Sequence, residues 1–173
     1  MSAGVEFARA RVSAPFGDLT VVASDAGVRY VTFDSDAHPK SYVGMTVADD
    51  ASHPVVARTV RQLNEYLAGK RREFDVPLDL VGTEFQVQAW RALADVPFGS
   101  TTSYARQAAS IGRPTATRAI GAANGRNPVV IVLPCHRIVG ADGSLTGFGG
   151  GLPVKKWLLD HEADVLDRVD QTR

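Results

Sequence analysis

Hydrophobic and polar positions alternate in three short runs near the start of the chain, at residues 7–12, 19–23 and 28–33. Such alternation is typical of strands that bury one face, and the turn sequences PFGD and SDAG separate the runs. We therefore predict a β-meander with one packed face. The next stretch, residues 34–53, has no regular pattern and is predicted to be a loop.

Helical periodicity begins directly after this loop. The apolar positions of the predicted helix are Val56, Val60, Leu63 and Leu67. Gly69 is a typical residue for ending it. Residues 74–82 look extended and are predicted to be either a last strand or a linker.

The second half of the chain is dominated by helical patterns. Thr83 is a predicted N-cap, and Pro97 and Gly99 are predicted to end the helix that it starts. Two short helices follow at about 103–110 and 114–123, and the Gly-containing break between them is typical of a helix-turn-helix. A final helix is predicted over residues 153–166, with its apolar face formed by Val154, Trp157, Leu158 and His161.

The change of pattern near residues 81–83 predicts two domains, residues 1–82 and 83–173. The predicted fold class is α/β in its α+β form: a β-meander with one helix, then a mainly helical domain. Of the 173 residues, 45% are hydrophobic and 22% are charged, which is ordinary for a globular protein. We see no signal peptide and no apolar run long enough to span a membrane, and a single cysteine suits a reducing, cytoplasmic setting.

Charge is unevenly distributed although the net charge is zero. Residues 96–141 contain no Asp or Glu. The arginines of this stretch are Arg106, Arg113, Arg118, Arg126 and Arg137. A positive segment of this kind attracts phosphates, while chance clustering with some buried arginine pairs is the alternative interpretation.

The candidate chemistry centres on Cys135, which is followed directly by His136. A thiolate is a strong nucleophile, and a histidine acting through one water could raise its population. The alternative is that Cys135 is only a small buried apolar residue. Glu162 could orient a distant histidine or could be a solvated helix charge, and the glycine-rich residues 147–151 could form a phosphate or oxyanion loop. One cysteine and the absence of an HExxH spacing argue against zinc.

A family resemblance is carried by the heptapeptide LPCHRIV at 133–139 and by three longer motifs: EFDVPLDLVGTEFQVQAWRALADVPFGSTTSYARQAA, TRAIGAANGRNPVVIVLPCHR and GFGGGLPVKKWLLDHE. In order and spacing they are similar to the O6-alkylguanine-DNA alkyltransferases, the methylated-DNA–protein-cysteine methyltransferases. The resemblance covers about residues 73–162, and the N-terminal part fits the family's variable, ribonuclease-H-like domain. The heptapeptide with Asn127 eight residues before Cys135 outweighs the interpretation of a merely buried thiol.

The resemblance implies a role for each matched residue of the reaction site. Cys135 would be the nucleophile, His136 the base acting through a water, and Glu162 the carboxylate that orients the imidazole. Asn127 would tie the recognition helix to the cysteine segment. Tyr104 would crowd the target phosphate and donate a hydrogen bond toward guanine N3.

The resemblance also implies how DNA is held. Arg118 would fill the gap left by a flipped nucleotide, Ser103 would contact a phosphate, and a helix carrying Thr117 and Ala119 would lie in the minor groove. The substrate loop would include Phe148, Gly149 and Gly150. The family often has Tyr and Ser where this chain has Phe148 and Gly149, so backbone amides are expected to bind the guanine oxygen here.

The expected function is therefore stoichiometric, irreversible repair of O6-alkylguanine, and less readily of O4-alkylthymine, in double-stranded DNA. The reaction needs no cofactor and no metal. No membrane partner is expected, and the protein is expected to be a monomer in solution, with cooperative binding to DNA left open. The alternatives are a non-catalytic alkyltransferase-like lesion binder, which would lack the cysteine, and a cysteine hydrolase.

Overall fold

The computed structural model describes residues 6–36, 40 and 42–171. Within these ranges the chain divides into two compact units. The first comprises residues up to Val81 together with Pro128–Val130, and the second comprises Gly82–Asn127 and the chain from Ile131 onward. None of the helices in the described part of the chain is long and apolar enough to cross a membrane.

A four-stranded mixed sheet forms the core of the first unit. Its strands are β1 (Glu6–Val12), β2 (Leu19–Ser24), β3 (Gly27–Phe33) and β4 (Thr46–Asp49), in the spatial order β3-β2-β1-β4. The three predicted strands are confirmed, and they pair antiparallel as a meander. The prediction of one packed face is wrong for β2, because every residue of this strand is buried and successive side chains point to opposite faces.

The fourth strand corrects the prediction of a loop over residues 34–53. Thr46–Asp49 runs parallel to β1, from Glu6 opposite Thr46 to Arg9 opposite Asp49. Four residues are too few to show a period in sequence, and a parallel edge strand is defined by its partner rather than by its own pattern. Residues 37–39 and 41 of that predicted loop lie outside the described residues.

Helix α1 (Pro54–Leu67) packs on this sheet. Its start is capped by the side chain of His53, and Gly69 follows its end with φ +76°, so the predicted stop is confirmed. The predicted face is only half right, because Val60 and Leu67 are partly exposed. The buried positions are Val56, Thr59, Gln62, Leu63 and Tyr66.

The stretch predicted as a strand or linker makes one short bridge, in which Leu78 pairs parallel with Val28 on the outer edge of β3. Val28 N donates to Pro77 O at 2.8 Å. Gly27 is required for this approach, since a Cβ there would lie 2.8 Å from the same carbonyl oxygen. Further along this edge, Val130 N donates to Val31 O.

The second unit is mainly helical. Its elements are α2 (Glu84–Ala92), β5 (Thr102–Ser103), α3 (Tyr104–Ser110), α4 (Thr117–Gly125), β6 (Ile138–Val139) and α5 (Leu152–Gln171). Thr83 caps α2 as predicted, in a reciprocal capping box with Gln86. The helix ends at Ala92 and continues as a 3-10 turn over Leu93–Asp95, so it stops before Pro97.

Helices α3 and α4 form the predicted helix-turn-helix, although α4 starts three residues later than expected. Residues 113–116 form a tight turn in which Ala116 N donates to Arg113 O. The two helices and α2 enclose a small core of Ala89, Ala108, Ile120 and Ala123. The side-chain amides of Gln107 and Asn124 exchange two hydrogen bonds, of 2.9 and 2.8 Å, which lock α3 to α4.

Candidate active site

Cys135 lies in a tight 3-10 turn, Cys135–Arg137, between the apolar segment 131–134 and strand β6. Pro134 has no N–H and precedes the turn, and Arg137 N donates to the Pro134 carbonyl at 3.0 Å. Cys135 is not part of a disulfide, and the residue is 7% exposed. Ile131, four residues earlier, has φ +69°, an unusual conformation for a β-branched residue and a sign that the segment is held by its surroundings.

The neighbouring His136 is fully buried and points to α5. Its Nε2 lies 2.7 Å from Oε2 of Glu162, which is also fully buried. The structure therefore brings together three predicted residues, Cys135, His136 and Glu162, from two elements. A solvated position for Glu162 is excluded.

Arg137 completes this network from the same turn. Its guanidinium holds Glu162 in a bidentate ion pair, with Nε 2.8 Å from Oε1 and Nη2 3.0 Å from Oε2. Nη1 of Arg137 donates to Val96 O at 2.8 Å, and Gly99 N donates to Oε1 of Glu162 at 3.0 Å. The carboxylate thus accepts from an imidazole, a guanidinium and an amide, which satisfies its lone pairs without water.

These contacts set the protonation states. Burial is the main influence on His136 and lowers its pKa, and the hydrogen bond with Glu162 opposes this only in part. Burial would raise the pKa of Glu162, but the hydrogen bonds and charges of His136 and Arg137 outweigh it and hold that pKa far below its usual range. A neutral imidazole facing an ionised carboxylate carries its proton on Nε2. Nδ1 then has the free lone pair, and it is buried with no hydrogen-bond partner among the described residues.

Lys155 is a second buried cation, on the same face of α5 as Glu162. Its Nζ donates to Ile138 O at 2.6 Å and to Thr146 O at 3.1 Å, and it lies 5.9 Å from the centre of the Phe148 ring. Burial lowers the pKa of this ammonium, and the charge of Cys135 opposes the shift. Lys155 therefore joins the strand that follows the cysteine to the start of the predicted substrate loop.

Asn127 is buried at the end of the helix-turn-helix. Its Nδ2 donates to Leu133 O at 2.7 Å, and Cys135 N donates to the same carbonyl oxygen at 2.9 Å. Asn127 and the backbone amide of Cys135 therefore share one acceptor, the Leu133 carbonyl oxygen.

Tyr104 and Ser103 lie where β5 enters α3. The Ser103 hydroxyl caps α3 by accepting from Arg106 N, and Ser103 pairs with Val139 in a short parallel bridge between β5 and β6. The hydroxyl of Tyr104 lies 2.8 Å from Oγ1 of Thr146. Both residues are partly exposed.

Helix α4 presents Thr117, Arg118 and Ala119 as three consecutive exposed residues, and the next residue, Ile120, is buried. None of the three contacts the His136–Glu162 network. In the predicted substrate loop, Phe148, Gly149 and Gly150 are partly exposed, and Gly151 N closes a turn onto Phe148 O at 2.9 Å. The structure therefore separates an exposed helix surface from a buried reactive turn.

Sequence reasoning did not assign a role to Arg137, Lys155 or Thr146. A signal for Lys155 existed, since positions 155, 158, 162 and 165 recur at helical spacing and bury one stripe of α5. The predicted stripe is wrong at Trp157 and His161, which are partly exposed and stack on each other. Arg137 was counted only as part of a positive segment.

A buried thiol beside an imidazole–carboxylate pair, in the same unit as a helix-turn-helix, defines a cysteine-dependent protein of the nucleic-acid-binding class. Among the described residues, no group of three or more His, Cys, Asp or Glu side chains is placed to bind a metal. Residues 84–164 match the family model of the 6-O-methylguanine DNA methyltransferase DNA-binding domain, and residues 10–80 match that of its ribonuclease-like domain. The chain belongs to the methylated-DNA–protein-cysteine methyltransferase family, and the predicted resemblance and fold class are confirmed.

Individual relatives agree over most of the chain. The methylated-DNA–protein-cysteine methyltransferase of Mycolicibacterium paratuberculosis is 46% identical over 86% of this chain and 87% of its own. The protein of that name from Methanosarcina acetivorans is 40% identical over 86% of this chain and 93% of its own. Among solved structures, Mycobacterium tuberculosis OGT in complex with DNA matches with a TM-score of 0.84 and 40% identity, covering 91% of this chain and 94% of that one.

Proposed function

We propose that this protein repairs double-stranded DNA by moving the alkyl group of O6-alkylguanine, and less readily of O4-alkylthymine, onto its own Cys135. The observation that carries the proposal is the Cys135–Arg137 turn, which places the thiol next to a buried His136 whose Nε2 is committed to Glu162. Family membership gives the reaction class, and residues 83–173 hold all the residues that we assign to it.

The proposed chemistry follows from the protonation states. His136 is neutral, and Nδ1 accepts the thiol proton through a water, as expected for a base whose other nitrogen is held by a carboxylate. The thiolate sulfur attacks the alkyl carbon, an S–C bond forms, and the C–O bond breaks with its electron pair going to guanine. The guanine anion is neutralised by a proton or stabilised by hydrogen-bond donors such as Tyr104.

Two consequences separate this reaction from ordinary catalysis. The product thioether is stable to water, so Cys135 is not regenerated and each molecule acts once. The acceptor is the protein's own thiol, so the transfer consumes no cofactor. The thiol has to remain reduced until it reacts, and we therefore place the protein in a reducing compartment such as the cytoplasm, acting as a monomer.

DNA binding is assigned to the helix-turn-helix. A base inside the stack cannot reach a buried thiol, so the nucleotide has to be flipped out at a cost of a few kcal/mol. Arg118 is exposed on α4 between Thr117 and Ala119 and can fill the space that the flipped nucleotide leaves. The small side chain of Ala119 lets the helix approach a minor groove.

Other contacts to the DNA are assigned to Ser103 and the substrate loop. Ser103, at the start of α3, can donate its hydroxyl to a phosphate. Backbone amides of Gly149 and Gly150, beside the Phe148 ring, are assigned to the guanine oxygen.

The test is an intact-mass measurement after incubation with a duplex containing one O6-methylguanine. We expect the protein to gain the mass of one methyl group, located on Cys135 by peptide mapping, while the lesion becomes guanine. Cys135→Ser on the same duplex, and the wild-type protein on an unmodified duplex, are the matched controls. Tight binding to the lesion without any mass gain would instead support the non-catalytic alternative.

A further inference from the structure

The substrate loop, residues 147–151, consists of four glycines and Phe148, so it has no side-chain hydroxyl. A hydroxyl pair lies immediately before it, where Oγ1 of Thr146 is 2.8 Å from the hydroxyl of Tyr104. Thr146 is exposed and Tyr104 is partly exposed, so the pair is accessible to a bound base. The proposed reaction uses Tyr104 and leaves Thr146 without a role.

The backbone of Thr146 is held by Lys155 of α5. Its carbonyl accepts a hydrogen bond from Nζ of Lys155, and the same Nζ donates to Ile138 O, the first residue of β6. Lys155 is 1% exposed, so its charge-assisted bond to Ile138 O lies out of water, and its bond to Thr146 O is partly buried. The Thr146 carbonyl is therefore tied to α5 just before the glycine-rich loop begins.

Tyr104 is fixed to the same strand by a different route. Ser103, which precedes it, pairs with Val139 of β6 and caps α3. The phenol ring packs against the small helical core of Ala89, Ala108, Ile120 and Ala123. The two hydroxyls consequently meet because both backbones are anchored to β6, not because either loop folds over the other.

The direction of this hydrogen bond decides what Tyr104 can do. A phenol has one proton, and if it is donated to Thr146 none is left for a substrate base. If Thr146 donates instead, the phenol oxygen accepts and its proton stays available, and the accepted bond polarises the phenol into a better donor. We propose that Thr146 is a positioning residue that donates to Tyr104 and so directs the phenol proton toward the ring nitrogen N3 of the flipped guanine. This inference rests on the proposed function.

The test compares the rates at which Cys135 is methylated by a duplex containing O6-methylguanine. The rates are measured by rapid quenching and intact-mass analysis. Thr146→Val keeps the shape and removes the donor, and we expect it to slow methylation about fivefold, the rate equivalent of one neutral hydrogen bond. Thr146→Ser keeps the hydroxyl and should stay within about twofold of the wild type. Thr146 is exposed, so Thr146→Val should unfold at the wild-type temperature.

Two further comparisons isolate the route through Tyr104. In a Tyr104→Phe background, Thr146→Val should cause no additional loss, because the group that it positions is already gone. On a duplex whose lesion is 3-deaza-O6-methylguanine, which lacks the N3 acceptor, wild type and Thr146→Val should react at equal rates.

The outcomes are distinct. Additive losses in the double variant, an equal slowing on both lesions, or no rescue by serine would overturn the role of Thr146 while leaving the proposed function intact. A wild-type protein that is never methylated would overturn the proposed function and this inference together.

Discussion

Charged side chains have opposite environments in two regions of the second unit. In the cysteine region, His136, Arg137 and Glu162 are buried and hydrogen-bonded to one another. On α4, Arg118 is exposed between Thr117 and Ala119. The first region holds its protons in hydrogen bonds away from water, and the second exposes a positive charge to water.

The difference teaches what each region can contribute. A buried carboxylate is tolerated only when its partners replace its hydration, so the Glu162 network is part of both the fold and the chemistry. An exposed arginine contributes little to folding and retains the freedom to meet a phosphate or a gap in a duplex. Three predictions, ordered by the expected change in unfolding free energy, test this contrast.

The largest effect is expected for Glu162→Gln. The amide cannot balance Arg137, whose buried charge is left without its partner, so we expect a loss of about 3–5 kcal/mol in unfolding free energy measured with urea. Asp160→Asn is the matched control, since it makes the same change two residues away in an exposed pair with Lys156, and it should stay within about 0.5 kcal/mol. Equal losses in the two variants would contradict the comparison.

A smaller, graded effect is expected from acidification. The folded pKa of His136 is lowered from 6.5, so below about pH 6.5 the unfolded chain binds a proton that the folded chain does not. The folded pKa of Glu162 is also lowered, from 4.5, so its contribution is full above that pH and is lost as the pH falls further. Stability should therefore be constant between pH 7 and 8 and should decline in two stages on the acid side. Urea unfolding across this range is the measurement. Glu162→Gln should weaken the second stage without abolishing it, because exposed carboxyls such as Asp49 and Asp50 also have lowered pKa values. A wild-type curve that stays flat down to pH 4.5 would refute the buried neutral imidazole.

The smallest effect on stability is expected for Arg118→Ala, within about 0.5 kcal/mol of the wild type. Its effect should be on repair. Methylation of Cys135 by duplex O6-methylguanine should slow on the order of tenfold, because no side chain then occupies the gap that the flipped nucleotide leaves. Free O6-methylguanine needs no flipping and should react with the variant at the wild-type rate. Arg91→Ala, an exposed arginine on α2, is the control, and equal slowing on duplex and free base would argue against the role of Arg118.

Local sequence predicted the elements whose signals lie within a few residues. The three strands of the meander, the Gly69 stop and the Thr83 cap depend on alternation, on a positive φ and on one side-chain hydrogen bond. Strand β4 was missed because it exists through pairing with β1, about 40 residues away. The start of α4 was misplaced because Pro114 is a residue type favoured at the first position of a helix, whereas residues 113–116 adopt a turn.

For the candidate site, the sequence by itself determined the reactive pair Cys135–His136 and, through its motifs, the family and the residues to examine. It did not determine that Glu162 is buried, that Arg137 shares its carboxylate, or that Lys155 and Thr146 support the substrate loop. Those facts depend on residues 25 apart in the chain, as with Arg137 and Glu162, and on the removal of water from around them. Burial and ion pairing depend on which residues surround a side chain after folding. Only the tertiary structure therefore places the Glu162 carboxylate in a buried hydrogen-bond network with His136 and Arg137.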